Sequence, residues 1–282
     1  MRIARFIPRD TSAGADPQFG VITGELDQFG QPEDDAAIVV LAGDPLYVGI
    51  VPTEQTIPYA DVRLLAPVIP RSKVVAIGKN YADHVAEMKD VTGGGTSDAP
   101  KEPLFFLKPN TSVVGPGDPI VYPSQSERVD FEGELAVVIG RICKDVPAAK
   151  AKDVIFGLTL ANDVSARDLQ TRDGQWSRAK GFDSFCPLGP WIDTEIGLDT
   201  VASGIDLKTY LEGDLKQDGT TADLIFDLPR IIEHVTAAMT LLPGDVILTG
   251  TPAGVGPMQP GDEVEVTSSY LGALTNPVVK KA

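Results

Sequence analysis

The stretch "DFEGELAVVIG", residues 130–140, decides the fold class because it places two acids at the start of an apolar strand. Side chains alternate across a strand, so Glu132 and Glu134 share one face, which then continues with alanine and valine. The opposite face carries only apolar residues and a glycine. Both faces are therefore apolar just past the two acids, which indicates a strand buried on both sides. Two neighbouring buried carboxylates need a cation or a shared proton.

Composition and charge are those of an ordinary globular protein, with 43% hydrophobic and 23% charged residues in 282. The net charge of −16 repels phosphate backbones and anionic membranes, so we expect neither nucleic acid nor membrane as a partner. The beginning, "MRIARFIPRD", lacks a signal-peptide apolar region, and runs such as "AAIVVLAG" are too short to cross a bilayer. The two distant cysteines, Cys143 and Cys186, fit a cytoplasmic protein without a disulfide framework.

The first seventy residues are typical of a small β-rich domain. Short apolar stretches, "FGVITGEL", "AAIVVLAG" and "LYVGIV", are separated by glycine, proline and aspartate. Pro67 and Pro70 then mark a boundary, which predicts a small domain over residues 1–70 and a larger one over residues 71–282.

The larger domain is predicted to be mostly β. It opens with a strand in "KVVAIGKNY", a helix in "ADHVAEMKD" and a mobile glycine-rich loop in "VTGGGTSDAPKEP". Later strands are predicted in "LFFLKP", "DPIVYP", "ELAVVIG", "DVIFGLTLAND" and "DVILTGT". Two more helices are predicted, in "PAAKAKDVI" and in "LPRIIEHVTAAMTLL", the second running from after Pro229 to before Pro243. Strand and helix do not alternate regularly, which favours an α+β fold over a doubly wound parallel sheet.

A second apolar strand, "FGLTLAND", ends in another acid, Asp163. Two strand ends could therefore bring Glu132, Glu134 and Asp163 together. Three carboxylates with no histidine beside them suit Mg²⁺, Mn²⁺ or Ca²⁺ rather than zinc or copper. The alternative is that the two glutamates lie on a solvated strand face. These residues by themselves are compatible with a metal site and with a solvated strand face.

The chain has two histidines, and each is a candidate for a base that works near neutral pH. His84 lies three residues before Glu87, so a helix would place both on one face, where the carboxylate could orient the imidazole. The pair precedes the glycine-rich loop, as a lid carrying a catalytic pair would. The alternative is an ordinary exposed pair on a helix. His234 borders the apolar stripe of its helix, which favours a structural role.

Polar side chains in two further segments could bind an anion. Lys180 follows "ARDLQTRDGQW", a segment with three side chains that could meet an anionic substrate or belong to a solvated loop: Arg167, Gln170 and Arg172. "LTGTPAGVG", residues 248–256, is a strand followed by a turn. Its backbone N–H groups, with Thr249 or Thr251, could cradle a carboxylate.

Six motifs in this order closely resemble the fumarylacetoacetate hydrolase family, over residues 73 to 266. They are "GKNYADHVAEM", "PLFFLKPNTSVVGPGDPIVYP", "VDFEGELAVVIG", "FGLTLANDVSARDLQ", "WSRAKGFDSFCPLGPW" and "LPGDVILTGTPAGVG". The resemblance implies a mixed β-sandwich roll that usually forms a homodimer, and the first seventy residues resemble the variable small domain of many bacterial members.

The resemblance also implies an active site. Its divalent metal, typically Mg²⁺, with Mn²⁺ or Ca²⁺ as alternatives, would be held by Glu132, Glu134 and Asp163. His84 and Glu87 match the catalytic lid pair and Lys180 the active-site lysine. The predicted substrate-binding residues are Lys79, Tyr81, Arg167, Gln170 and Thr251. Lys79 stands where many members have arginine, which replaces a bidentate fork by a point charge.

The implied substrate is a small 2-oxo acid. Among the reactions that the resemblance implies, we rank first the C–C bond hydrolysis of an acylpyruvate or fumarylpyruvate through a pyruvate enolate. Decarboxylation of oxaloacetate is second, and isomerisation of 2-hydroxyhepta-2,4-diene-1,7-dioate is third. A non-catalytic, metal-stabilised binding module is ranked last, because such a module needs neither a base nor a residue that orients it.

Overall fold

The computed structural model describes residues 1–9, 16–27, 31–92 and 100–281, with residues 88–92 as backbone only. The triple glycine of the predicted mobile loop, residues 93–95, lies outside the described residues. Within them, strands far outnumber helices, which confirms the predicted α+β, mostly β class. No helix in the described ranges is both long and apolar enough to span a membrane.

The strands of the described chain are β1 (Arg2–Pro8), β2 (Gln18–Thr23), β3 (Ala37–Leu41), β4 (Pro52–Pro58), β5 (Val62–Leu65), β6 (Val74–Gly78), β7 (Leu104–Lys108), β8 (Val113–Val114), β9 (Ile120–Tyr122), β10 (Val129–Phe131), β11 (Gly133–Ile139), β12 (Ile155–Asn162), β13 (Ser165–Ala166), β14 (Cys186–Asp193), β15 (Asp206–Leu211), β16 (Asp214–Thr220), β17 (Val246–Leu248), β18 (Gly256–Met258), β19 (Glu263–Ser268) and β20 (Gly272–Lys280). The α-helices are α1 (Pro45–Val48), α2 (Ala82–Thr92), α3 (Arg167–Asp173), α4 (Ser177–Lys180), α5 (Leu198–Ser203) and α6 (Leu228–Ala238).

The largest sheet has twelve strands in the order β4-β3-β2-β1-β14-β12-β11-β17-β6-β7, with β5 paired to β1 and β8 to β14. Its pairs are antiparallel, apart from β17 with β6 and β14 with β8. The N-terminal strands join this sheet through β1, where Arg2 pairs with Asp193 of β14. A doubly wound parallel sheet is therefore absent from the described chain, as predicted.

Strand β11 lies in the middle of this sheet and is buried on both faces, which confirms the first inference from its sequence. Leu135, Val137 and Ile139 pack into a core cluster that includes the apolar stripe of α6. Ala136 and Val138 pack into a second cluster on the opposite face. Two smaller sheets, β13-β10-β18 and β16-β15-β19-β20-β9, complete the fold around the start of this strand.

Three predicted elements differ from the structure. "LYVGIV" begins in helix α1, because the side chain of Asp44 accepts from the N–H of Leu46 at 3.0 Å and caps a helix there. "PAAKAKDVI" forms a 3₁₀-helix over Ala148–Asp153 instead of an α-helix. Helix α6 ends at Ala238, short of the predicted end before Pro243, because the chain becomes extended at Met239 and then pairs with Cys143.

Candidate active site

Two breaks in strand structure bring the three predicted metal ligands together. Glu132 lies between β10 and β11, and Asp163 directly follows β12. The N–H of Asp163 donates to the carbonyl oxygen of Glu132 at 2.8 Å, and the N–H of Glu132 donates to Oδ1 of Asn162 at 2.9 Å. One carboxylate oxygen of each acid, including Glu134, lies within 4.8 Å of the others. All three acids are buried.

Lys180, at the end of α4, reaches two of these acids. Its Nζ lies 2.7 Å from Oε2 of Glu132 and 2.7 Å from Oδ2 of Asp163. Burial alone would lower the pKa of Lys180, but Asp163 and Glu132 raise it above its usual value. Its two acidic partners therefore favour the ammonium form, which donates hydrogen bonds to both carboxylates.

A second buried lysine, Lys108, was not among the predicted site residues. It ends β7, and its Nζ donates to Oδ1 of Asp163, the carboxylate oxygen that Lys180 does not bond. Its side chain is fully buried. No local pattern predicts this role, because a lysine between an apolar strand and a proline usually lies where the chain returns to solvent.

Arg167 and Gln170 were predicted to bind substrate. In the structure Arg167 pairs with Glu132, and Gln170 accepts a hydrogen bond from Arg167. The Nε of Arg167 donates to Oδ2 of Asp130 at 2.9 Å, and its Nη1 donates to Oε1 of Gln170 at 3.0 Å. Its Nη2 lies 2.6 Å from Oε1 of Glu132, a close ion pair without the angles of a regular hydrogen bond. Burial opposes ionisation of Glu132, but Lys180 and Arg167 lower its pKa. A substrate contact by Arg167 or Gln170 stays a prediction.

Glu134 differs from the other two acids because the described residues offer it no ion pair. Its Oε2 accepts from the N–H of Gly250 at 2.6 Å. Burial, together with Asp163 and Glu132, raises its pKa well above the usual value. A buried carboxyl group whose pKa is raised in this way holds a proton or binds a cation, because Lys180 only partly offsets burial and the two acidic neighbours. An all-oxygen donor set suits Mg²⁺, Mn²⁺ or Ca²⁺, so these residues fit a divalent cation.

His84 and Glu87 form the predicted pair on the buried face of α2. Nδ1 of His84 lies 3.4 Å from Oε2 of Glu87. Burial would raise the pKa of Glu87, but hydrogen bonds from His84 and from the N–H of Gly254 lower it, so the carboxylate is ionised. His84 is also close enough to Glu132 to lower the pKa of that acid. His234, in contrast, packs edge-on against Phe105 with ring centroids 5.9 Å apart.

The "LTGTPAGVG" turn does use its backbone N–H groups to hold carboxylates, but they are the protein's own. The N–H of Gly250 binds Glu134, and that of Gly254 lies 3.1 Å from both oxygens of Glu87. Both glycines have φ of +101°, which favours glycine over any other residue. A Cβ on Gly254 would also lie 2.0 Å from the carbonyl oxygen of Lys216. The turn thus joins the acid cluster to the histidine pair.

The two threonine hydroxyls of this turn are engaged with β11. Oγ1 of Thr249 donates to the carbonyl of Leu135 at 3.0 Å, and Oγ1 of Thr251 donates to that of Gly133 at 2.8 Å. They therefore fix the turn to the acid-bearing strand. A substrate contact by Thr251 stays a prediction.

The three remaining candidate residues, Tyr81, Lys79 and Arg172, differ in how deeply they are buried. The hydroxyl of Tyr81 is buried and has no hydrogen-bond partner among the described residues, so a ligand oxygen could accept a hydrogen bond from it. Burial, and secondarily Glu134, raise the pKa of Tyr81. Lys79 is half-buried, with φ of +59°. Arg172 is exposed, with Nε 3.7 Å from Oδ1 of Asp173, but it lies in helix α3 and not in a loop.

Comparison with known families covers nearly the whole chain. Residues 73–279 match the model described as fumarylacetoacetate (FAA) hydrolase, C-terminal. Residues 1–67 match the model described as Rv2993c-like, N-terminal.

Two relatives and two solved structures place the chain among known proteins. Protein Rv2993c of Mycobacterium tuberculosis is 51% identical, covering 100% of this chain and 99% of its own. Human mitochondrial oxaloacetate tautomerase FAHD2A is 43% identical, covering 79% of this chain and 71% of its own. A structure of 5-carboxymethyl-2-hydroxymuconate delta-isomerase from Mycobacterium smegmatis is 47% identical, covers 100% of both chains and has a TM-score of 0.85.

The second structure is maleylpyruvate hydrolase from Sphingobium sp. SYK-6 in complex with manganese(II) and pyruvate. It is 31% identical, covers 100% of both chains and has a TM-score of 0.75. With a family model matched over residues 73–279 and relatives of this similarity, the chain belongs to the fumarylacetoacetate hydrolase family.

Proposed function

We propose that this protein is a divalent-cation-dependent enzyme that acts on a small 2-oxo acid of the oxaloacetate class by proton transfer at carbon 3. The observation that carries the proposal is the uncompensated carboxylate of Glu134. It lies beside Glu132 and Asp163, with Lys180 and His84 next to the same cluster. A binding scaffold would need neither the lysine nor the histidine pair.

Glu132, Glu134 and Asp163 would hold the cation. When bound, a divalent cation supplies Lewis-acid polarisation of the carboxylate and 2-oxo oxygens of the substrate. Mn²⁺ is favoured by the manganese-containing maleylpyruvate hydrolase structure, and Mg²⁺ suits the same oxygen donors.

His84 would hold the proton that moves. Nδ1 faces the ionised carboxylate of Glu87, and in the tautomer that donates from Nδ1 the lone pair would lie on Nε2. Nε2 would then take a proton from carbon 3 of the keto form and deliver it to the oxygen on carbon 2, and the reverse transfer would convert the enol to the keto form. Glu87 is fixed by Gly254, so the imidazole keeps one orientation. Lys180, in its ammonium form, would stabilise the negative charge that develops when the proton leaves.

Charge balance favours an anionic substrate. Four carboxylates, on Asp130, Glu132, Glu134 and Asp163, face the cations Lys108, Lys180, Arg167 and Arg128. With a divalent cation bound and the ionised carboxylate of Glu87 included, one excess positive charge would remain, which favours an anionic substrate. The proposed contacts to the rest of the substrate are the ammonium of Lys79 and the hydroxyl of Tyr81, which has no hydrogen-bond partner among the described residues.

The relatives support placing proton transfer before C–C bond hydrolysis, which the sequence ranked first. The tautomerase and the isomerase are 43% and 47% identical to this chain, whereas the maleylpyruvate hydrolase is 31% identical. Hydrolysis of an acylpyruvate is the second candidate, because the His84–Glu87 pair could instead activate a water molecule. Decarboxylation of oxaloacetate needs no base and does not explain that pair.

A homodimer is part of the proposal. The edge strand β7 exposes Leu104 and Leu107, each 42% accessible, which is an unusual surface for the end of a sheet. Light scattering after size exclusion would give a mass of twice 29.9 kDa for a dimer, and a mass of one chain would reject it.

Three assays run in parallel test the reaction. The enol of oxaloacetate is followed as it converts to the keto form, and pyruvate release is measured from oxaloacetate and from acetylpyruvate. Each is run with Mn²⁺, with Mg²⁺ and with EDTA, and corrected for catalysis by the metal alone. Metal-dependent enol conversion faster than either pyruvate release supports proton transfer. Faster release from acetylpyruvate would favour the hydrolase, and no activity in any assay would reject the proposal.

A further inference from the structure

Gln217 is a buried carboxamide in a strand of mostly polar residues. It lies in β16, where its neighbours are exposed or half-buried, yet only 1% of its surface is accessible. Its Oε1 accepts from the N–H of Gly133 at 2.9 Å. Its Nε2 donates to Oγ1 of Thr251 at 2.8 Å and to the carbonyl of Pro252 at 2.7 Å. Both N–H donors and the carbonyl oxygen of this side chain therefore bond to the active-site strand or its turn.

These hydrogen bonds form a closed ring through Gln217, Thr251 and Gly133. Because Oγ1 of Thr251 donates to the carbonyl of Gly133 at 2.8 Å, both the N–H and the C=O of Gly133 are held. Gly133 is the residue between Glu132 and Glu134, so its orientation sets the directions in which the two acids leave the backbone. A Cβ at this position would lie 2.2 Å from Oγ1 of Thr209, so any larger residue would have to displace that side chain.

The carboxamide of Gln217 has one orientation that satisfies its surroundings. Exchanging its oxygen and nitrogen would place an NH₂ group against the N–H of Gly133 and an oxygen against the carbonyl of Pro252. Both contacts would then repel. The ring is therefore a fixed support and does not depend on a side chain that can flip.

The same side chain also bonds to the turn that holds Glu87 of the histidine pair. Pro252 belongs to the turn in which the N–H of Gly254 binds Glu87, the residue that orients His84. Gly254 is packed against the backbone of Lys216, the neighbour of Gln217. Strand β16 thus supports both halves of the site, the acids through Gly133 and the histidine pair through the turn.

We propose that Gln217 is a positioning residue that sets the geometry of the three acids for a divalent cation and, through the same turn, that of His84. It acts through Gly133 and the turn residues and does not contact the substrate. This inference rests on the proposed function, because it requires that the acids bind a cation. Residues behind metal ligands commonly tune metal affinity in this way.

The experiment compares Gln217→Met with Asn276→Leu. Methionine is close in size to glutamine but offers no amide. Asn276 is a matched control because it is a carboxamide of the same sheet, 1% accessible, whose Nδ2 donates to Gly115 and Asp118, both at 2.8 Å. Mn²⁺ affinity is measured by isothermal titration calorimetry at a temperature well below the Tm of each variant. Circular dichroism confirms that each is folded.

Both variants are expected to lower the Tm, since each leaves buried backbone groups unpaired. Only Gln217→Met is expected to raise the Kd for Mn²⁺, by about tenfold or more. An unchanged Kd in Gln217→Met, or an equal rise in Asn276→Leu, would overturn the inference. If Gln217→Met does not fold, Thr251→Val opens the same ring at its other end and should raise the Kd in the same way. An unchanged Kd there would also overturn it.

Mn²⁺ binding by the wild type and by Gln217→Met separates a failure of the proposed function from a failure of the role of Gln217. If the wild-type chain does not bind Mn²⁺, both the proposed function and the role of Gln217 are rejected. If the wild-type chain binds Mn²⁺ and Gln217→Met binds it equally well, only the role of Gln217 is rejected.

Discussion

Lys108 and Asp163 form an ion pair in which neither side chain is more than 2% exposed. Lys180 contacts the other oxygen of the same carboxylate at 2.7 Å, so Asp163 is neutralised from two sides. Glu134 receives no such compensation. The centre is therefore asymmetric, with cations supplied at Asp163 and Glu132 and a cation still required at Glu134.

Replacing Lys108 by methionine should destabilise the metal-free protein. The variant keeps the apolar part of the side chain but removes one of the two cations on a buried carboxylate, for which we expect a loss of about 3 kcal/mol in the free energy of unfolding. Urea denaturation of the chain in EDTA measures this loss. Lys144→Met is the control, because Lys144 pairs with Asp145 at the surface, and it should change stability by less than ~0.5 kcal/mol. Equal losses in the two variants would contradict a special role for the buried pair.

Replacing Glu134 by glutamine should raise stability and weaken metal binding together. Glutamine has the same shape and can still accept from the N–H of Gly250, but it removes a buried charge that faces two other acids. We expect the metal-free variant to be more stable by about 1–2 kcal/mol. Its Kd for Mn²⁺ should rise by at least ~100-fold, the upper end of the effect seen for residues behind the ligands. Thermal unfolding in EDTA and calorimetric titration test the two parts, and a destabilised variant with intact Mn²⁺ binding would refute both.

Replacing Asp245 by asparagine, again an acid by its amide, should lower the free energy of unfolding and not raise it. Asp245 is fully buried and accepts from the N–H groups of Ser72 and Leu242 at 3.0 and 2.9 Å and from the ammonium of Lys73 at 2.9 Å. An amide NH₂ in Asp245→Asn would face these donors, so we expect a loss of about 3 kcal/mol. Urea denaturation at neutral pH provides the measurement.

The cost of Asp245→Asn should depend on pH in a defined direction. Burial would raise the pKa of Asp245, but hydrogen bonds from Lys73, Leu242 and Ser72 hold it below its usual value of 3.8. A carboxylate with a lowered pKa contributes its stability above the unfolded pKa and loses it as the pH falls through the folded pKa. The difference between wild type and variant should therefore be constant above about pH 5 and shrink only below pH 3.8. A difference that shrinks between pH 7 and pH 5 would contradict this assignment.

The three acids and the His84–Glu87 pair were predictable because each leaves a local pattern. Glu132 and Glu134 break the apolar alternation of a strand, and Glu87 follows His84 at helical spacing. Lys108 and Gln217 were not predictable. Both are polar residues in places where polar residues usually meet solvent, and only the packing of distant strands buries them.

The end of helix α6 was misplaced for a related reason. Met239 and Leu242 continue the apolar spacing of the helix, but the backbone leaves helical geometry at Met239. The main chain of Leu241 then exchanges hydrogen bonds with that of Cys143, at 2.9 and 3.0 Å. Spacing alone cannot distinguish an apolar residue on a helix from one on the extended segment that follows.

The most direct test of the proposed reaction is the rate at which the enol of oxaloacetate converts to the keto form in His84→Gln. The chain supplies a matched control in His234→Gln, since His234 packs against Phe105. With Mn²⁺ present, we predict that wild type and His234→Gln accelerate the conversion well above the metal background. His84→Gln should be slower by about 10²-fold or more, with unchanged Mn²⁺ affinity. Conversion by His84→Gln at the wild-type rate, or no acceleration by the wild type, would contradict the account.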